Sequence, residues 1–222
     1  MPRVAVAQLC HGQVHADSSM CFSNLLLHSQ LVGISVNPGK ATASIVGNAR
    51  NVAVSGAIAA GATHVLMIDS DMIYPANLLE EYLKHDVMVM GCPYRRCGPP
   101  YGMMGVPEDG EDLHALAAAS APVKFKWLAT GLMMINLEVF KDMTSPYFYH
   151  SPDPESGFAE GEDLQFCRAL NERNIPIHGL VHLERIGHII EGVLWNDTGN
   201  ILPVELYDRA KMEAASGPAG PR

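Results

Sequence analysis

No run of apolar residues in this chain approaches the ~18 that a bilayer-spanning helix needs, so no helical membrane span is expected. The N-terminus, MPRVAVAQLC, has one Arg and an apolar run too short for an export signal, which predicts a cytoplasmic protein whose first core strand starts at once. Cysteine is scarce. Cys10, Cys21, Cys92, Cys97 and Cys167 are odd in number and widely spaced, and no second Cys or His pair joins Cys92 and Cys97 at zinc-finger spacing. A disulfide framework is therefore excluded, and all five are expected as reduced thiols. Basic residues are in the minority, 15 against 24 acidic ones, for a net charge of −9. An acidic chain exerts no long-range pull on a polyanion, although the local cluster Tyr94-Arg95-Arg96 can still hold phosphate. A Gly-rich phosphate loop after the first strand is also missing, since no Gly-x-Gly lies between residues 8 and 20.

What is present suits a core. Hydrophobic residues make up 48% of the 222, and mean hydropathy is +0.07. One sizeable domain over residues 1–213 is expected, followed by a small polar tail, AASGPAGPR (214–222), expected to be disordered. Residues 3–9 (RVAVAQL) read as a buried strand and 31–36 (LVGISV) as a second, with a helix from about Ser18 between them, capped by Asp17, Ser18 or Ser19. NPGKATAS reads as a loop. A helix is predicted over Ile45–Ala60 with Gly61 at its C-terminal cap, then a strand over VLMI, a helix from Pro75 to about Lys84, and a strand in DVMVMGCPY. This alternation predicts an α/β fold with an open, mostly parallel sheet flanked by helices.

Beyond residue 96 the pattern changes. Residues 97–122 form a long Gly-, Pro- and Ala-rich excursion with a short helix at HALAAAS, a length typical of lids and binding elements. Two short strands then flank Ala129-Thr130-Gly131, a helix is predicted from Glu162 to Arg173, and NIPIHGLVHL contains the last strand.

HVLMIDSDMIYP (64–75) places Asp69 and Asp71 where an apolar strand ends. Side chains at i and i+2 share one face of a strand. At a strand exit both carboxylates can converge on one cation, which relieves their mutual repulsion. Oxygen ligands suit Mg²⁺ or Mn²⁺. A solvated turn, with Asp71 capping the next helix, explains the same residues. Ligands in open α/β sheets bind outside the carboxyl ends of strands, which is where Asp69 and Asp71, and then Tyr94, Arg95 and Arg96, are expected.

The segment NARNVAVSGAIAAGATHVLMIDSDMIYP (48–75) resembles the GT-A (Rossmann-like) glycosyltransferases, particularly family-2-like members and short phage or bacterial relatives. Arg50-Asn51 matches their helix start and Asp69-Ser70-Asp71 their DXD metal motif. LATGLMMINLEVF (128–140) is similar to their strand beside the acceptor, GEDLQFCRALNERNIPI (161–177) to their Glu-Asp helix start, and RIGHI (185–189) to the segment with a late His ligand. The resemblance covers roughly residues 3–190. It implies a metal-dependent, inverting glycosyltransferase that moves a sugar from a nucleotide-diphosphate donor, UDP favoured, to a hydroxyl acceptor: a saccharide, a protein or a hydroxymethylated base of phage DNA.

Under that resemblance Asp69, Asp71 and His188 hold Mn²⁺ or Mg²⁺, with Asp69 alternatively holding the ribose or a metal-bound water, and His182 competing with His188. Arg50 and Arg95 join Asp69 and Asp71 in donor binding. Asp163 is the general base, with Glu162 an acceptor contact or alternate base. Each has a plainer explanation: Arg50 a surface helix charge, Arg95 and Arg96 a solvated pair, Glu162 and Asp163 favourable partners of the helix dipole, His188 a satisfied core histidine. Trp127 stacks on a sugar or packs in the core, and Asp17 is a candidate base contact.

Three other classes compete. Haloacid-dehalogenase-like phosphatases also place Asp-x-Asp after a buried strand, but on the first strand, and here Ile73 stands at the motif's fifth position. A non-catalytic sugar-nucleotide or glycan-binding domain needs no base. A nucleotidyltransferase would use the Gly-rich loop that is missing.

Overall fold

The computed structural model describes residues 1–10, 12–98, 101–111, 113, 121–152, 159–181, 185–190, 192–195 and 201–203. The expected tail, the HALAAAS helix beyond Leu113, and His182 lie outside the described residues.

The chain opens with β1 (Arg3–Cys10), buried from Val4 onward, and runs into α1 (Ala16–Leu31), β2 (Ser35–Thr42), α2 (Val46–Ala59) and β3 (His64–Asp69). Both β2 and β3 lie parallel to β1. Val4, Val6, Leu66 and Ile68 face one side of this sheet, against Leu25 of α1, while Ala5, Ala7, Val65 and Met67 face the other, against α2. Burial on both faces explains the continuous apolar run of β3, because a strand covered on both sides shows no alternation. Ala49, Ala53 and Ala57 are buried on α2 at four-residue intervals, and such small side chains let that helix come close to the alanines of β1.

Next come β4 (Met72–Ile73), α3 (Leu78–Leu83), β5 (Val89–Gly91), β6 (Gly105–Pro107), β7 (Val123–Leu128), β8 (Leu132–Asn136) and a 3₁₀ turn over Leu137–Phe140. After the short antiparallel pair of β9 (Ser151–Pro152) and β10 (Ala159–Glu160), α4 (Glu162–Glu172) leads to β11 (Ile177–Gly179). The main sheet has the order β2-β1-β3-β8-β5-β11-β7-β6. Six strands run one way, while β8 and β7 run against them. This is the expected α/β sheet, flanked by helices. The two strands around Ala129-Thr130-Gly131 do not form a hairpin: β8 inserts between β3 and β5, and β7 pairs with β11 and β6. A second, antiparallel sheet has the order β14-β13-β12-β4, with β12 at Gly187–Ile189, β13 at Gly192–Trp195 and β14 at Ile201–Pro203.

Several expected boundaries move. The second strand is Ser35–Thr42, not 31–36, because α1 continues through Leu31 and closes at Gly33 with a φ of +77°. NPGKAT is polar because β2 is a largely exposed edge strand, a position that tolerates Pro38. The cap of α1 is His15, whose side chain accepts the Asp17 N–H, not Asp17, Ser18 or Ser19. Pro75 starts a turn, and α3 begins three residues later. Gly61 does follow the C-terminal cap of α2, with a φ of +65°; its N–H donates to Ile58 and that of Ala62 to Ala57, which satisfies the last carbonyls of the helix.

All five cysteines are free, and burial pushes the Cys92 and Cys167 thiols up to about 12. Among the described residues, no helix is long and apolar enough to cross a membrane.

Candidate functional site

Four carboxylates stand at three places along the carboxyl edge of the main sheet. The first is Asp69, the last residue of β3, whose N–H donates to the Gly131 carbonyl at 2.9 Å. Its two side-chain oxygens accept from Arg50 Nη1 at 3.1 Å and Nη2 at 3.2 Å. Arg50 is 3% exposed, and it also donates through Nε to Glu162 Oε1 at 3.2 Å and through Nη1 to the Thr130 carbonyl at 3.4 Å. Burial works against the guanidinium charge, but Asp69 and Glu162 outweigh it and keep Arg50 firmly protonated.

The second is Asp71, on the turn from β3 into β4. Pairing of β12 with β4 sets His188 opposite Met72, and the Ile189 N–H donates to the Asp71 carbonyl at 2.7 Å. The small sheet thus carries a histidine from far along the chain to the Asp-Ser-Asp turn. His188 Nε2 stands 3.2 Å from Asp71 Oδ2, and Nδ1 lies 2.9 Å from the Arg95 carbonyl. A carbonyl only accepts, so Nδ1 carries a hydrogen, and Nε2 meets a carboxylate oxygen. Two acceptors at that separation need a proton or a cation between them. Burial disfavours the imidazolium, but the Asp71 hydrogen bond and charge outweigh it and raise the His188 pKa. Tyr94 fixes the ring from the side, edge-on at 5.5 Å.

The third is the start of α4. Glu162 is buried, bound to Arg50, with His150 Nε2 3.6 Å from its Oε2. Asp163 Oδ1 accepts the Leu164 N–H at 2.8 Å. Burial, then the neighbouring Glu162 charge, raise the Asp163 pKa.

A cavity of about 160 Å³ opens between the ends of β1 and β3 and the first turn of α2, lined by Leu9, Cys10, Ala43, Val46, Ala49, Asp69 and Asp71. Ile45 gives α2 no side-chain cap, and Val46 and Ala49 of the helix's first turn line this cavity. Arg95 is elsewhere. Its Nη1 donates to the Tyr101 carbonyl at 3.2 Å, and it lines a larger cavity of about 380 Å³ with Met103, Val106 and Leu113. Trp127 is half-buried and packs against the core from β7. Asp17 sits in the first turn of α1, next to the Asp-Ser-Asp turn, since the His15 N–H donates to the Ser70 carbonyl.

The expected residues are therefore brought together in part: Arg50, Asp69 and Glu162 in one cluster, Asp71 and His188 in another, Asp163 beside the first. Among the described residues no three metal-ligating side chains converge. Asp71 and His188 are the pair suited to a divalent ion, with the second ring nitrogen of the histidine held by a carbonyl as metal-bound histidines commonly are. Magnesium-type sites often take one or two protein ligands and fill the rest with phosphate oxygens and water.

Sequence reasoning named Asn51 only as part of a helix start, Thr130 and Gly131 only as a turn and Tyr94 only in a phosphate-holding cluster, and it gave His150 no role. Tyr94 accepts the Gly131 N–H through its hydroxyl at 3.1 Å. Asn51 binds the 147–148 segment, donating to the Phe148 carbonyl and accepting both the Tyr147 and Phe148 N–H groups. The Ala-Thr-Gly triplet between two apolar strands was the one local signal for Gly131; nothing local marked His150.

No family model matches the sequence, and no curated protein matches it. Solved structures do. A197 from STIV is 17% identical with a TM-score of 0.60, covering 90% of this chain and 94% of its own. The catalytic domain of Drosophila beta1,4galactosyltransferase 7, solved in complex with xylobiose, is 14% identical with a TM-score of 0.49, covering 81% of this chain and 65% of its own. At these identities the likeness is one of fold alone, an α/β sheet flanked by helices.

Proposed function

We propose that this chain is a metal-dependent, inverting glycosyltransferase that takes a sugar from a nucleotide-diphosphate donor, UDP favoured, and passes it to a hydroxyl acceptor. The observation that carries this reading is the 3.2 Å approach of His188 Nε2 to Asp71 Oδ2 beside a cavity that Asp71 itself lines. Mn²⁺ or Mg²⁺ held there supplies a Lewis acid for the charge that develops on a departing diphosphate. The uncapped start of α2 favours the same anion. Asp69, fixed by Arg50, keeps lone pairs for a ribose hydroxyl. Arg50 itself is committed to Asp69 and Glu162, so it supports the donor pocket without reaching the diphosphate.

Glu162 is bound to Arg50, which leaves Asp163 as the base. Its carboxylate accepts the acceptor hydroxyl's proton as the oxygen attacks the anomeric carbon and the bond to the diphosphate breaks, which inverts that centre. A raised pKa suits this task, because a base works best when its pKa lies nearer the working pH. Saccharide and protein acceptors accord better with the net charge of −9 than a DNA base does. Five free thiols accord with a reducing cytoplasmic compartment.

Calorimetric titration of UDP and GDP, with Mn²⁺ and then with EDTA, tests the reading. Binding of one nucleotide only with Mn²⁺ is expected; equal binding in EDTA, or no nucleotide binding at all, would sink it. In the same assay Asp71→Asn should abolish the metal-dependent part, and unchanged binding would remove Asp71 from the metal site.

A further inference from the structure

We propose that Arg50 is a positioning residue that ties the donor side of the site to the acceptor side: its guanidinium clamps Asp69 at the end of β3 and Glu162 at the start of α4 into one fixed geometry. The inference rests on the glycosyltransferase reading and goes beyond it in the role given to this residue.

The bonding supports a clamp rather than a ligand contact. Four of the five guanidinium N–H donors are directed at protein acceptors: Nε to Glu162, Nη1 to Asp69 and the Thr130 carbonyl, Nη2 to Asp69. With the residue 3% exposed, a phosphate could bind it only by displacing one of these carboxylates. The planar fork suits two-oxygen pairing in a way an ammonium does not.

The sequence around Arg50 is built for the clamp. At Gly47 an added Cβ would lie 3.2 Å from the Phe148 carbonyl oxygen and 3.4 Å from Glu162 Cβ, so the bare glycine lets the first turn of α2 approach α4. Asn51, the next residue, grips Tyr147 and Phe148, and that segment leads to His150 on the far side of Glu162. Arg50 thus holds Glu162 directly, and Asn51 fixes the segment that brings His150 near its other oxygen. With Glu162 engaged, Asp163 is the carboxylate at that helix start left to take a proton.

Three variants separate the two ends of the clamp. Asp69→Asn should raise KM for the donor about tenfold, the scale of a charged hydrogen bond, with kcat little changed. Glu162→Gln should lower kcat about tenfold with KM little changed. Arg50→Lys, which keeps the charge but loses the fork, should do both. An Arg50→Lys protein with wild-type kcat and KM, or one that loses only thermal stability, would overturn the clamp.

A second readout needs no activity. Carboxyl-detected NMR titration follows Asp163, which lies in the field of Glu162, Arg50, Tyr94 and Cys167. Its midpoint should rise in Arg50→Lys, where the guanidinium fork no longer holds Glu162 away from it, and fall in Glu162→Gln. An unchanged midpoint in both would overturn the proposal. If the wild-type protein transfers no sugar, the glycosyltransferase reading fails, and the titration still decides whether Arg50 governs the start of α4. Should Arg50→Lys not fold, the KM-against-kcat split of Asp69→Asn and Glu162→Gln decides instead, and wild-type constants in both would overturn the clamp.

Discussion

Asp163→Asn should bind the nucleotide donor as the wild type does and lose about 10²- to 10⁴-fold in kcat, the usual contribution of a positioned general base. The amide keeps an oxygen to accept the Leu164 N–H, so the start of α4 is undisturbed, but it has no basic lone pair for a hydroxyl proton. The same substitution should raise the melting temperature at neutral pH. Burial and Glu162 raise the folded pKa of Asp163 above its unfolded value. A carboxyl of that kind binds more protons folded than unfolded between the two pKa values. The wild type therefore loses stability as pH rises from below the unfolded pKa through the folded one. The Asn protein has no such loss, and its advantage should vanish in acid, where both side chains are neutral. Melting curves across that range check the sign. A variant less stable at every pH would mean that the Asp163 charge is compensated in the fold, and surviving transfer would move the base to another group.

Gly131→Ala should damage both clusters at once. A Cβ at that position would come closer than 3.0 Å to the Tyr94 hydroxyl and to Asp69 Oδ2. Neither can retreat freely. Asp69 is held by two Arg50 bonds, and Tyr94 is buried, accepts the Gly131 N–H and packs edge-on against His188. Crowding a packed site typically costs about 1–3 kcal/mol. The larger effect should be functional. Moving Asp69 disturbs the donor pocket, and moving Tyr94 frees the His188 ring, so metal-dependent nucleotide binding should fall at least tenfold, read by the same calorimetry. A folded Gly131→Ala protein with unchanged affinity would show that neither group needs its observed position.

Several local elements were readable because they depend on short-range signals. β3 is a continuous apolar run, α2 is an alanine-rich stretch closed by Gly61, and α4 begins at an acidic pair after a glycine. The alternation of these elements was enough to place Asp69 and Asp71 at the carboxyl edge of a sheet. β2 was misplaced for a related reason: an exposed edge strand has the polar composition of a loop, and hydrogen bonding to β1, rather than a buried face, defines it.

Side-chain pairing required the tertiary structure, because it depends on contacts between residues distant in sequence. Arg50 meets Glu162 across 112 positions, and Asp71 meets His188 across 117. Nothing near Arg50 in the chain distinguishes a phosphate contact from a buried clamp; the difference lies in which carboxylates the packing of α2 against β3 and α4 sets within 3.2 Å. Likewise a lone His in RIGHI acquires a partner only when β12 pairs with β4. Residue types and strand exits, legible along the chain, set which groups were available, whereas Coulomb energy and hydrogen bonding act over a few ångströms of space, so only the folded arrangement assigned their partners.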